Sequence, residues 1–144
     1  MNRINLICLG VRDIKKARAF YRDALGFSTP NNEENPNVVF FNNGGTRLEL
    51  YPLDELAKDI SESDPPKTTN SFGGITLAYN AKSKNEVDEI FLKIVTIGGT
   101  IAKQPQTAFW GGYSGYFRDL DGYYWEVAYA DFWKFDENDM LVIE

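Results

Sequence analysis

Residues 113–129 read Tyr-Ser-Gly-Tyr-Phe-Arg-Asp-Leu-Asp-Gly-Tyr-Tyr-Trp-Glu-Val-Ala-Tyr, the pattern of a β-hairpin. Two aromatic-rich runs flank Asp121-Gly122, a pair that tolerates the positive φ of a tight turn. Inside the second run one carboxylate, Glu126, stands between Trp125 and Val127. An acid in an apolar strand faces either solvent or a recess. In a recess it needs a partner, because an unpaired buried charge is costly. Side-chain alternation along the strand therefore decides what Glu126 is for.

The same arrangement occurs earlier in the chain. Asn43-Gly44 parallels Asp121-Gly122, and Leu-Glu-Leu at 48–50 parallels Trp-Glu-Val at 125–127, so Glu49 matches Glu126. Upstream of each hairpin lies a strand rich in aliphatic residues, at 3–11 and at 74–81. Each strand is followed by an N-cap, Asp13 or Ser83, and a helix. Ile14, Ala17, Phe20, Tyr21 and Ala24 have helical spacing in the first helix, which is read to residue 25. Val87, Ile90, Phe91 and Ile94 do so in the second, which stops near Gly98-Gly99. Short strands are expected from Phe27, over 38–41 and over 100–102, with a short helix at 53–60 and a loop at 103–112.

These spacings predict an α+β fold of two βαβββ modules in one domain covering 1–144. Module 1 takes about 1–60, a polar linker with Pro65-Pro66 takes about 61–71, and module 2 takes about 72–131. Residues 132–144 form a tail that adds a final strand. The modules are expected to build one curved mixed sheet around a cleft, with helices on the outer face. Alternation puts Ile7, Leu9, Leu48, Leu50, Ile75, Leu77, Trp125 and Val127 beneath the helices. It turns Leu6, Glu49, Gly74 and Glu126 toward the cleft. Cys8 shares the cleft face and, with no histidine or base near it in sequence, reads as an inert thiol.

Composition narrows the function. A net charge of −6 and a pI of about 4.7 argue against a nucleic-acid partner, which requires a basic face. Histidine is absent, which removes the commonest general base and transition-metal ligand. A single cysteine permits no internal disulfide and points to a reducing compartment. No apolar run approaches a membrane span, and the first residues lack the pattern of a signal peptide. The expected location is the cytoplasm. Aromatic residues make up 15% of the chain, enough to line a core and a pocket together.

Two stretches carry a resemblance. Residues 5–27, Asn-Leu-Ile-Cys-Leu-Gly-Val-Arg-Asp-Ile-Lys-Lys-Ala-Arg-Ala-Phe-Tyr-Arg-Asp-Ala-Leu-Gly-Phe, resemble the first module of the glyoxalase, bleomycin-resistance and extradiol-dioxygenase (vicinal oxygen chelate) superfamily. Residues 116–127, Tyr-Phe-Arg-Asp-Leu-Asp-Gly-Tyr-Tyr-Trp-Glu-Val, resemble its closing signature. In metal-dependent members each module supplies one ligand from its first strand, usually histidine, and a carboxylate from its last. Carried over, the carboxylates fall on Glu49 and Glu126, and the first-strand positions on Leu6 and Gly74. Neither of the latter ligates through a side chain. Two carboxylates and water suit only a weakly held hard cation such as Mg²⁺ or Ca²⁺.

Three roles stay open for Glu49 and Glu126: metal ligands, acid–base or ligand-recognising groups, and a pair neutralised by neighbours such as Arg47. Trp110, Tyr113, Tyr51, Tyr124 and Arg47 are candidate ligand contacts, with Trp110 and Tyr113 in a Gly-rich loop at the mouth of the cleft. Trp125 belongs to the core. Asp119 and Asp121 shape their turn. The leading expectation is a small-molecule binding protein of bleomycin-resistance type, homodimeric and without a catalytic transition metal. A glyoxalase-like lyase or isomerase using Glu49 and Glu126 is the alternative, and a dimerising domain with a vestigial cleft is a third.

Overall fold

The computed structural model describes residues 3–69 and 71–143. The chain divides between Ser71 and Phe72 into two compact units, each of mixed α and β structure.

The first unit runs β1 (Leu6–Val11), α1 (Ile14–Ala19), β2 (Val39–Phe41), β3 (Arg47–Pro52) and α2 (Leu53–Ile60). Asp13 starts α1 as expected, its Oδ1 accepting from the Lys15 and Lys16 amides at 3.1 and 3.0 Å. The helix continues through a π turn, Phe20–Ala24, which buries Phe20 and Tyr21. The strands stand in the order β1-β3-β2, with β1 parallel and β2 antiparallel to β3. Leu9, Val11, Val39, Phe41, Leu48 and Leu50 are buried on the side of α1. Tyr21, Phe27 and Phe41 meet there in a cluster of tilted and edge-on rings. Leu53 and Leu56 of α2 lie over Gly10, on the opposite face.

The strand expected from Phe27 does not form. The Leu25 amide closes the π turn on the Phe20 carbonyl, the Phe27 amide donates back to the Tyr21 carbonyl beyond it, and Pro30 lacks an amide to continue a ladder. The Asn42 amide donates to the Ser28 carbonyl.

The second unit runs β4 (Thr76–Asn80), α3 (Lys84–Thr96), β5 (Thr100–Thr107), β6 (Tyr113–Arg118) and β7 (Tyr124–Tyr129). Its order is β4-β7-β6-β5, and β4 is parallel to β7 just as β1 is to β3. Ser83 caps α3 by accepting from the Glu86 amide at 3.1 Å, while the Glu86 carboxylate accepts from the Lys82 amide at 2.7 Å. Val87, Phe91 and Ile94 form the buried stripe of α3, over Phe117, Trp125 and Val127. Trp125 is thus core, its ring parallel to that of Phe117 at 6.2 Å.

Three expectations for this unit are corrected. The strand expected over 100–102 extends to Thr107, because β5 is an edge strand and accepts Pro105 at a register irregularity. Ile75 is 70% exposed and precedes β4, so it is not under the helix. Among the described residues the tail adds no strand. It makes one bridge, Phe135 to Leu141, around a turn in which Asp136 Oδ1 accepts from the Asn138 and Met140 amides. Among the described residues no helix is long and apolar enough to cross a membrane.

The β6–β7 turn depends on Asp119. It is buried, and its Oδ1 accepts from the Asp121 amide at 3.0 Å and the Tyr123 amide at 2.9 Å, while Gly122 takes φ 95°. Asn43 does the same work in the first unit, its Oδ1 accepting from the Leu48 amide. Replacing Asp119 by Ala strands two amides and should lower stability by ~1–3 kcal/mol. Asp119→Asn keeps an acceptor and should cost clearly less. Urea unfolding of both variants measures the difference, and equal losses would mean the turn does not rest on these bonds.

Candidate functional site

Pairing across each sheet sets a glutamate in a row of side chains on the face away from α1 or α3. In the first unit Glu49 on β3 lies opposite Cys8 on β1 and Phe40 on β2. In the second, Glu126 on β7 lies opposite Ala78 on β4 and Tyr116 on β6, and Tyr116 lies opposite Lys103 on β5. The rows correspond strand by strand: Cys8 with Ala78, Glu49 with Glu126, Phe40 with Tyr116. Both glutamates are half-buried.

Each acid has a hydrogen-bond donor beside it. Cys8 faces Glu49 across the β1–β3 ladder. Burial chiefly, then the Glu49 carboxylate beside it, push the thiol up to about 11. At neutral pH it is a neutral donor rather than a nucleophile. Tyr116 faces Glu126 across the β6–β7 ladder, and the ionisation of its hydroxyl is likewise raised, first by burial and then by the Glu126 charge. The Lys103 ammonium stands 5.9 Å from the centre of the Tyr116 ring.

The other anticipated site residues fall into three groups. Arg47 and Tyr51 alternate with Glu49 along β3 and share its face. Arg47 donates to the Asn43 carbonyl at 2.6 Å and, among the described residues, makes no ion pair with Glu49. Tyr124 shares the Glu126 face, with Phe72 edge-on at 5.5 Å and the Arg118 guanidinium 5.9 Å from its ring centre. Tyr113 is on the opposite face, beside α3, where its hydroxyl donates to Asp88 at 2.8 Å. Trp110 stacks on Trp133 at 5.5 Å. Trp110 and Tyr113 therefore do not belong to the Glu126 row.

Cys8 and Tyr116 were not singled out as partners of the acids, although the signal was present. Counting five residues outward from Asp121 in each direction reaches Tyr116 and Glu126. Cys8 required knowing that β1 runs parallel to β3.

The residues present do not fit a resident divalent ion. Pairing sets Thr76 opposite Tyr124 as it sets Leu6 opposite Arg47, so the counterpart of Leu6 is Thr76 rather than Gly74. Leu6 offers no donor and Thr76 only a weak one. Among the described residues no group of three or more His, Cys, Asp or Glu gathers.

Comparison with known proteins gives three findings. The family model described as Glyoxalase/Bleomycin resistance protein/Dioxygenase superfamily matches residues 3–127. Among curated proteins, the mitochondrial methylmalonyl-CoA epimerase of Bos taurus is 41% identical over 58 residues, covering 37% of this chain and 33% of that protein. The matched stretch is thus about a third of the length of that relative. Among solved structures, a glyoxalase-related enzyme from Fulvimarina pelagi superposes with a TM-score of 0.87 at 24% identity, covering 99% of both chains. A lactoylglutathione lyase from Agrobacterium tumefaciens superposes with a TM-score of 0.68 at 26% identity, covering 94% of this chain and 99% of the other.

The Cys8–Glu49 contact can be tested by thiol chemistry. Alkylation of Cys8 by iodoacetamide at pH 8 should run roughly tenfold or more below that of free cysteine. In Glu49→Gln the neighbouring negative charge is gone, so the thiol pKa falls and the rate rises. An unchanged rate in that variant would show that the carboxylate does not act on the thiol.

Proposed function

The chain belongs to the glyoxalase/bleomycin resistance protein/dioxygenase superfamily, and from that premise we propose that it binds a small organic molecule through its glutamate rows, without a catalytic transition metal. The observation that carries this reading is the setting of each acid. A half-buried carboxylate at mid-sheet, set opposite a residue with a neutral donor and flanked by a ring, accepts hydrogen bonds from a ligand while the ring supplies a stacking face. Arg47, Tyr51 and Tyr124 extend the same faces. A net charge of −6 favours a cationic or neutral ligand. On this reading the protein works in the cytoplasm as a homodimer, on a small molecule and not on nucleic acid.

A second reading is favoured by the 58-residue similarity to methylmalonyl-CoA epimerases. An epimerase inverts one stereocentre. Beside a carbonyl, that requires a base to take a proton and an acid to return it. Glu126 beside Tyr116 and Glu49 beside Cys8 are the groups of this chain suited to hold and move that proton. In this reading the protein is an isomerase, and its glutamates are the groups that take or return the proton.

Two experiments decide between these readings. A thermal-shift screen with planar cationic compounds, bleomycin among them, should find stabilising ligands. Glu49→Gln and Glu126→Gln should each weaken such a ligand by about tenfold. Methylmalonyl-CoA in D₂O should lose its methine proton signal faster than in buffer alone only if the isomerase reading holds, and Glu126→Gln should then abolish the exchange. Failure of both assays removes both readings. Elemental analysis of the untagged protein should find no stoichiometric Mn, Ni or Zn. An ion that is present and is lost in the double Glu→Gln variant would overturn the metal-free reading.

A further inference from the structure

The second unit contains a cavity of about 330 Å³ that the glutamate row does not use. It lies where the first turn of α3 meets the end of β7. Lys84, Asp131, Tyr113, Tyr129 and the backbone of Gly111 and Gly112 line it. Tyr113 and Tyr129 are a register pair whose side chains project to the α3 side, the face opposite Glu126. The cavity is therefore separate from the acid row.

Its walls are fixed. The Tyr113 hydroxyl is tied to Asp88, and the Lys84 ammonium stands 5.7 Å from the centre of the Tyr113 ring. The loop wall is held by packing: a Cβ at Gly112 would come within 1.7 Å of the Trp110 ring, so a larger residue there displaces that ring. Trp110 is itself stacked on Trp133.

Lys84 and Asp131 bring opposite charges to this one space. Among the described residues neither belongs to an ion pair, with each other or with any other group. The volume lies at the lower end of the ~300–1,000 Å³ typical of small-molecule pockets. A molecule with one group of each sign would pair a carboxylate with Lys84 and an ammonium with Asp131, and set its apolar part against the two tyrosines. We propose that this cavity is a second ligand site, for a free α-amino acid with an apolar or aromatic side chain. It does not depend on the function proposed for the glutamates.

The test uses the ¹⁵N-labelled full chain and L-phenylalanine as probe, followed by amide chemical shifts. Saturable shifts are expected at residues 84–88, 110–113 and 129–131. 2-Phenylethylamine, which lacks the carboxylate, and 3-phenylpropionate, which lacks the ammonium, should each bind about tenfold more weakly. Lys84→Met and Asp131→Asn should weaken L-phenylalanine by a similar factor. Both positions are exposed, and the spectrum of each variant verifies its fold. Glu126→Gln should leave this binding unchanged. The absence of saturable shifts with L-phenylalanine and L-leucine up to about 20 mM overturns the proposal. So does binding that both charge variants retain, or shifts centred on the glutamate rows.

Discussion

In each unit one helix covers one face of a sheet, and side-chain alternation then fixes what the other face carries. If β7 slipped by a single residue, Glu126 would go under α3 and Trp125 and Val127 would come out. The ring contact between Trp125 and Phe117, beneath Phe91 of α3, is what prevents this. In the first unit Leu48 and Leu50 hold β3 in the same way, and Glu49 between them has only one direction to point. The position of the acids is thus a by-product of core packing. It needs no stabilising interaction of the carboxylates themselves.

Given that constraint, the partners of the acids come from the neighbouring strands. Here the two units differ. A thiol is a weak donor and a phenol a strong one, so the two acids have neighbours of different donor strength. Tyr116 also has Lys103 over its ring, whereas Phe40, its counterpart, has no hydroxyl to offer. The repeat has kept the acid and the strand pairing in both halves while changing the residues beside the acid.

Much of this was legible in the sequence because it rests on alternation and turn chemistry. The hairpin around Asp121-Gly122, the caps Asp13 and Ser83, the buried stripe of α3 and the placement of Trp125 all follow local rules. What was missed needed partners distant in sequence. A loop is expected at 103–112, and the edge position of β5 makes Pro105 acceptable within a strand there. Phe27 had strand chemistry, but the π turn before it claimed its amide. In the site, the acids and their faces were visible, while Cys8 beside Glu49 required the parallel pairing of β1 with β3. Tyr113 is expected in a Gly-rich loop at the mouth of the cleft, yet it opens β6, and alternation along that strand turns it to the helix side.

The irregular course of β5 bears on solubility. An edge strand with a regular, free ladder invites a strand from another molecule, and from that contact aggregates grow. Here the ladder is interrupted between Lys103 and Gln106, with Pro105 inside the interruption and Lys103 beside it. A bulged strand bends, and proline offers no amide. This edge of the second sheet therefore lacks the flat template that intermolecular β-stacking requires, and it does so through local covalent chemistry that holds at any protein concentration.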